Sequence, residues 1–188
     1  MTERWRCFVA VPIGERLRAR LTAASKAWHD HPEAAALRWT DPASWHLTLA
    51  FIGLVPGADV EDVTAAIERL AAGAAPMRLA AGGLGAFPSP RRARVLWYGV
   101  ADPGRRLATL AGATAEALGL DAAEAFRPHL TLARAGRPAL VAGLIAQANA
   151  PRGRIEVDRI ELMRSHLGGG PARYERLASL SLEGADHG

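Results

Sequence analysis

Short apolar runs alternate along the chain with stretches in which apolar residues recur at helical spacing. The runs at residues 6–13 and 45–53 predict buried strands, because apolar segments of about four to eight residues bounded by turn residues are typical of them. Apolar side chains that recur every three or four residues predict amphipathic helices over 15–28 and from about 59 to 72. A glycine-interrupted strand over 77–87 completes the first half of the chain.

The second half repeats this order of elements. Its predicted strands cover 93–100, 129–134, 154–165 and 173–183, and its predicted helices run from Asp102-Pro103 to Gly119 and over 138–149. Asp102 can cap the first of these helices, and Pro103 fits its first turn. The last two strands lie on either side of Gly168-Gly169-Gly170-Pro171, whereas residues 29–42 are expected to form a polar connection.

The middle strand of each half contains the same pentapeptide, His-Leu-Thr-Leu-Ala. Its recurrence at matching places in two matching halves favours an internal duplication over coincidence. Alternate side chains of a strand point to opposite faces, so His46 and Thr48 share one face while the leucines take the other. His129 and Thr131 share a face in the same way. Two halves related by a pseudo-two-fold axis would bring both pairs to one cleft.

The composition limits the class of protein. Of 188 residues, 49% are hydrophobic and 22% are charged, which is typical of a globular protein and not of a disordered one. No apolar run approaches the roughly 18–20 residues that span a bilayer, and the N-terminal run is too short for a signal peptide. Cys7 is the only cysteine, which excludes an intramolecular disulfide and a cysteine-based metal cluster. We therefore expect a cytoplasmic protein without a membrane partner.

The charge balance indicates an anionic partner. Basic residues are 22 arginines and Lys26, and the formal net charge is +4. The planar guanidinium of arginine suits phosphate oxygens. An Arg-rich surface that includes Arg91, Arg92 and Arg94 leaves open a non-catalytic RNA-binding module, whose affinity would fall steeply with salt. A lysine-containing phosphate loop is excluded, because no Gly-x-x-x-x-Gly-Lys sequence is present.

Two imidazoles and two hydroxyls that face one cleft suit in-line displacement at phosphorus. One neutral histidine takes the proton of the attacking oxygen, a cationic histidine protonates the leaving oxygen, and the threonines donate to the non-bridging oxygens. No metal centre is expected, because each His-x-Thr sequence supplies one nitrogen ligand and no carboxylate recurs beside it. His29-Asp30-His31 is interpreted as a solvated loop.

The paired tetrads resemble the signature motifs of the two-histidine (2H) phosphoesterases, and in particular of the bacterial RNA 2',3'-cyclic phosphodiesterases, also named 2'-5' RNA ligases. The similarity extends over about residues 5–182. Its further segments are Arg38-Trp39, Arg94-Val95-Leu96-Trp97, Phe126-Arg127-Pro128, Ala133-Arg134 and Arg164-Ser165-x-Leu167…Gly170-Pro171…Tyr174-Glu175.

The resemblance implies a single bilobal α+β domain over residues 1–188. Two pseudo-symmetric lobes, from internal halves at about 5–87 and 93–183, would each have an antiparallel sheet and helices, with the catalytic cleft between the sheets. The alternation of strands and helices taken alone favours a parallel sheet instead. The resemblance also implies metal-independent hydrolysis of a terminal 2',3'-cyclic phosphate of RNA to a 2'-phosphomonoester, without a cofactor, and reverse 2'-5' ligation.

Site roles follow from the matching positions. His46 falls on the proton-donor position, His129 on the proton-acceptor position, and Thr48 and Thr131 on the phosphate-contacting positions. Arg134 ends the second motif and is expected to contact phosphate or substrate.

Phe51 stands in the first motif where the second has arginine. It is expected to belong either to the core or to a base-stacking surface. The expected partner is an RNA end with a cyclic phosphate, such as a tRNA fragment, bound by a monomer. A small cyclic phosphate, a cyclised ADP-ribose derivative and a 2'-5' oligonucleotide remain open as substrates.

Overall fold

The computed structural model describes residues 3–121, 125–166 and 173–185. The strands within these ranges are β1 (Arg4–Pro12), β2 (Leu37–Trp39), β3 (His46–Pro56), β4 (Met77–Phe87), β5 (Ala93–Ala101), β6 (His129–Ala139), β7 (Gly153–Val157), β8 (Arg159–His166) and β9 (Arg173–Ser181). The α-helices are α1 (Glu15–His29), α2 (Val60–Gly73), α3 (Arg106–Ala117) and α4 (Ala142–Gln147). The predicted glycine-rich turn at 168–171 and motif residue Leu167 lie outside the described residues.

The strands form one curled antiparallel sheet. Its order is β7-β4-β5-β6-β3-β1-β8-β9, and β2 adds to β6. Every pairing between these strands is antiparallel. The α+β class and the antiparallel pairing implied by the resemblance are therefore confirmed, and the parallel sheet favoured by the alternation of elements is wrong. The two central strands, β3 and β6, are joined by the single pair Leu47 and Leu130.

Each side of the sheet contains strands from both halves of the chain. Strand β4, from the first half, pairs with β5 and β7 of the second half. Strands β8 and β9, from the second half, continue the sheet beyond β1. Each side of the cleft is thus built from both halves of the sequence. The two groups of strands in the sheet therefore do not coincide with the two sequence halves, which meet near residue 90.

Three predicted elements need correction. The strand over 154–165 is two strands, because the apolar alternation changes parity at Asp158. β7 is at one edge of the sheet, and β8 is next to the strand at the other edge. The connection over 29–42 contains β2, which pairs with β6, between two short 3-10 helices. The helix predicted over 138–149 is reduced to α4, since the pairing of Ala139 with Ala93 extends β6 through Pro138.

Helix α3 begins later than the sequence predicts. Arg105, in the left-handed region at φ 54°, precedes its first residue. The carboxylate of Asp102 still caps the helix, because it accepts hydrogen bonds from the backbone N–H groups of Leu107 at 3.2 Å and Ala108 at 2.9 Å.

The helices cover one face of the sheet, and the candidate site lies on the other. Leu47 and Leu130 are fully buried in a core that also contains Cys7 and apolar residues of α1, α2 and α3. Burial of such a leucine contributes about 1.5–3 kcal/mol, so this face is strongly specified. Because side chains alternate along a strand, the histidines and threonines beside these leucines project from the opposite face. No helix in the described ranges has the length and apolar character needed to cross a membrane.

Candidate active site

The central β3–β6 contact brings the two repeated motifs together. Leu47 lies directly opposite Leu130 in an antiparallel pairing. Because the strands are antiparallel, His46 and Thr131 lie on one side of this pair along the strands, and Thr48 and His129 lie on the other. Since side chains alternate along a strand, both histidines and both threonines lie on the face opposite to that of the two leucines. The pseudo-two-fold axis therefore passes through the leucine pair, with one histidine and one threonine of different motifs on each side of it.

Each histidine is oriented by a backbone carbonyl two residues before it. Nδ1 of His46 lies 2.6 Å from the carbonyl oxygen of Ser44. Nδ1 of His129 lies 2.7 Å from the carbonyl oxygen of Arg127. A carbonyl oxygen can only accept, so Nδ1 of each ring carries the hydrogen and donates it. Nε2 of each ring is consequently the atom that can take or give a proton in a reaction.

Aromatic rings pack against both imidazoles. Phe8 is stacked on His46 with ring centroids 4.9 Å apart, and Tyr174 meets the same ring edge-on at 5.3 Å. Phe87 meets His129 edge-on at 5.0 Å. These contacts fix the rings and remove water from their faces.

The environment lowers the pKa of both histidines below its ordinary value. Burial is the largest cause, because a desolvated imidazolium loses its hydration. The backbone carbonyls of Ser44 and Arg127 oppose this effect, since they stabilise the charged rings. The positive charge of Arg134 lowers the pKa of both rings, and a charged His129 further lowers that of His46. The free protein therefore favours neutral imidazoles near pH 7.

Arg134 and Phe51 occupy matching positions of the two motifs but differ in role. Arg134 is exposed and lies opposite Arg38 and Val95 on the strands beside β6. Its charge acts on both imidazoles, which suits a contact with an anion held between them. Phe51 is 66% exposed and its ring centroid lies 6.1 Å from that of Phe8. The core alternative for Phe51 is therefore wrong, and its exposed ring lies next to Phe8, which stacks on His46.

Sequence reasoning missed Phe8 and Phe87 and assigned Tyr174 no role. A signal was available for Phe8, because it alternates with Cys7 and Val9 and therefore faces away from the core. Its proximity to His46 follows only from the β1–β3 pairing, in which Phe8 lies opposite Phe51.

His29 and His31 have structural contacts away from this cleft. His31 caps the 3-10 helix at Pro32–Ala36 through Nδ1, which accepts the backbone N–H of Glu33 at 3.2 Å. His29 ends α1 and packs against Trp39 with ring centroids 4.2 Å apart. Within the described ranges, no group of three or more His, Cys, Asp or Glu residues is placed to hold a metal ion.

Comparisons with known proteins agree with this geometry. The family model described as 2'-5' RNA ligase superfamily matches residues 15–169, a span that contains both tetrads. The curated RNA 2',3'-cyclic phosphodiesterase of Thermus thermophilus is 33% identical and its alignment covers 97% of this chain and 92% of the relative. The one of Aquifex aeolicus is 31% identical, with 69% and 73% covered.

A solved structure has the same fold over nearly the full length of both chains. The crystal structure of Escherichia coli LigT complexed with 3'-AMP superposes with a TM-score of 0.76 at 27% identity, covering 96% of this chain and 99% of that one. These findings confirm the resemblance drawn from the two tetrads and the prediction of an enzyme of this kind.

Proposed function

The chain belongs to the 2'-5' RNA ligase superfamily, and we propose that it hydrolyses the 2',3'-cyclic phosphate at the 3' end of an RNA to a 2'-phosphomonoester. Relatives named RNA 2',3'-cyclic phosphodiesterase, at 31% and 33% identity, support this reaction class. The observation that carries the proposal is the pair of imidazoles, each with Nδ1 held by a carbonyl, on either side of the Leu47–Leu130 pair.

The two histidines supply opposite proton transfers. Following the matching positions of the family motifs, Nε2 of His129 takes a proton from the attacking water as its oxygen bonds to phosphorus. The bond from phosphorus to O3' breaks, and O3' takes a proton from Nε2 of His46. The phosphate stays on O2'. Each such transfer contributes typically about 10²–10⁴ in rate.

The proton on His46 depends on the substrate. Burial and nearby positive charge lower the pKa of this ring in the free protein. A bound phosphodiester is anionic and favours the charged form of a neighbouring imidazole, so binding raises the pKa again. The site thus acquires its acid when the cyclic phosphate binds.

The remaining site residues hold the phosphate and the terminal base. Thr48 and Thr131 donate hydrogen bonds to the non-bridging oxygens, which become more negative in the transition state. Arg134 adds a positive charge beside them. Phe51 offers an exposed ring on which the base stacks, and because its neighbour Phe8 packs on His46, we expect the terminal nucleoside on the side of the leaving oxygen.

These side chains supply both proton transfers and the compensating charge, so we propose that the reaction needs neither a metal ion nor a cofactor. The same two transfers, with the 5'-hydroxyl of a second RNA end in place of the attacking water, join a cyclic phosphate end to that end through a 2'-5' linkage. We expect the RNA to be a fragment such as a cleaved tRNA, and the enzyme to act as a monomer.

The test is incubation of a short oligoribonucleotide ending in a 2',3'-cyclic phosphate with the protein in EDTA. We expect a 2'-phosphate product, and loss of turnover of at least about 100-fold in His46→Ala and in His129→Ala. His29→Ala, an exposed histidine outside the cleft, is the matched control and should retain the wild-type rate. A 3'-phosphate product, or near-wild-type turnover in either cleft variant, would contradict the mechanism. Binding without turnover would favour the RNA-binding module.

A further inference from the structure

An open groove runs along β4 and β5, beside the segment that precedes His129. Its volume is about 930 Å³. The floor, from β4 and β5, is formed mainly by alanines and glycines such as Ala80, Gly82 and Gly99, together with Trp97 and Val100. One wall is Phe126–Pro128, and the other comes from residues between 148 and 153. The small floor residues let a ligand approach the backbone closely.

The groove belongs to the surroundings of one histidine. Gly99, on its floor, lies directly opposite His129 in the β5–β6 pairing. Its wall residues Arg127 and Pro128 immediately precede that histidine in the chain. Neither histidine is among the described lining residues, so the groove is connected to His129 through Gly99, Arg127 and Pro128, and no lining residue belongs to the strand of His46. The groove therefore opens on the side of the phosphate from which the proposed mechanism brings the nucleophile.

The groove carries the side chains that a nucleotide strand requires. Arg127 lines one wall, and Arg152 and Asn149 line the other. Nε1 of Trp97 is buried and has no hydrogen-bond partner among the described residues, although a buried indole N–H usually has one. The indole packs so closely on Gly85 that a Cβ atom there would overlap it. Guanidinium groups along a backbone with an aromatic ring for stacking are typical of single-strand binding.

The size of the groove argues for a nucleophile larger than water. A water molecule occupies roughly 30 Å³, a small fraction of the space beside His129. A 5'-hydroxyl of a second RNA strand is the nucleophile of the ligation reaction, and it would bring its own nucleotides with it. We propose that this groove binds the 5'-hydroxyl end of an acceptor RNA strand. The inference rests on the proposed function, because it uses the same cyclic phosphate and the same two histidines.

The joining step balances without a further reactant. O5' of the acceptor forms a bond to phosphorus, and its proton passes to Nε2 of His129. The bond from phosphorus to O3' breaks, and O3' takes the proton of Nε2 of His46. The products are a 2'-5' phosphodiester and a free 3'-hydroxyl. One ester bond replaces another, so no nucleoside triphosphate is consumed.

The experiment measures how one labelled cyclic-phosphate donor divides between water and a 5'-hydroxyl acceptor oligonucleotide at rising acceptor concentration. Both products come from the same bound donor, so a variant that folds only in part lowers both and leaves their ratio unchanged. In the wild type we expect the ratio of ligated to hydrolysed product to rise and then saturate with acceptor.

Two variants obstruct the groove in different ways. Gly82→Leu fills it, and a Cβ atom there lies 3.4 Å from Cγ of Arg152, an acceptable contact. Arg152→Gln removes a positive charge. We expect each to lower the product ratio at least fivefold, and Arg152→Gln to weaken the salt dependence of the ratio. The matched controls are Gly112→Leu, at an exposed helical position with nothing within 4 Å of a Cβ atom, and Arg69→Gln on α2, and both should retain the wild-type ratio.

The outcomes separate the inference from the proposed function. An unchanged ratio in both groove variants overturns the inference. So does a wild type that hydrolyses the donor but gives no ligated product at any acceptor concentration, and this result leaves the proposed function standing. If the groove variants raise the KM for the donor and leave the ratio of ligated to hydrolysed product unchanged, the groove binds the donor strand, and the inference is likewise overturned. Absence of both products from the wild type refutes the proposed function, and the acceptor groove with it.

Discussion

Shortening the leucines that join the two motif strands should separate the stability of the fold from the alignment of the histidines. Leu47 and Leu130 are the single pair between β3 and β6, and both are fully buried. Leu→Ala at a fully buried site costs about 2–5 kcal/mol, from lost burial and the cavity left behind. A domain is stable by about 5–15 kcal/mol, so each single variant should remain largely folded.

The pair should not behave additively. The two side chains face each other across one rung, so the cavities left by Leu47→Ala and Leu130→Ala merge. Neighbouring residues of this kind show coupling energies of about 0.5–3 kcal/mol. Urea unfolding of the two single variants and the double variant measures the coupling. Additivity within about 0.5 kcal/mol would show that the two leucines do not pack against each other.

Turnover should fall further than stability explains. Each leucine stands between the histidine and the threonine of its motif, so a shift in β3 or β6 moves the imidazoles relative to each other. A misplacement of about 1 Å can cost about 100-fold in rate. The matched control is Leu107→Ala on α3, which is equally buried in the same core but lies on no motif strand. If Leu107→Ala loses as much activity per folded molecule as Leu47→Ala, the reasoning about alignment is refuted.

Three further predictions concern the chemistry of the cleft. Because the pKa of both histidines is lowered from 6.5, the bell-shaped pH profile of kcat/KM should have its maximum below pH 6.5. Arg134→Gln removes a positive charge that acts on both rings, so this variant should have its maximum at a higher pH. An unchanged maximum in that variant would contradict the placement of Arg134. A donor with sulfur in place of the leaving O3' needs no protonation of the leaving group. The turnover rate of His46→Ala should therefore recover much more on this donor than that of His129→Ala. Equal recovery of the two rates would contradict the assignment of His46 as the acid. Phe51→Ala should raise KM for the oligonucleotide with little change in the free energy of unfolding, whereas Leu54→Ala, at 59% against 66% exposed, should leave KM unchanged; equal effects would remove Phe51 from the base-binding surface.

The exchange of strands between the two halves has a consequence for the site. His46 lies on β3, whose side of the sheet is completed by β1, β8 and β9, and His129 lies on β6 beside β5, β4 and β7. Tyr174, which contacts His46, comes from the far end of the chain, and Phe87, which contacts His129, comes from its first half. The surroundings of both imidazoles therefore depend on the complete sheet.

The amino-acid sequence by itself determined which side chains could act together. Alternation within one strand is a local property, so the sharing of a face by His46 and Thr48 could be predicted from their spacing alone. The same holds for most of the helices and strands, and the repeat of the tetrad indicated the chemistry. The change in the alternation of apolar residues at Asp158 was also present in the sequence. Only the separate positions of β7 and β8 in the sheet show that two strands meet there.

Only the tertiary structure decided how the two motifs meet. The register that sets Leu47 against Leu130 depends on pairing between residues that are distant in sequence, and local periodicity carries no information about it. The contacts of Phe8 and Tyr174 with His46, and the exposure of Phe51, follow from the same long-range pairing. A strand specifies its own two faces, but its neighbours, and hence the environment that shifts the pKa of each imidazole, are chosen by the packing of the whole chain.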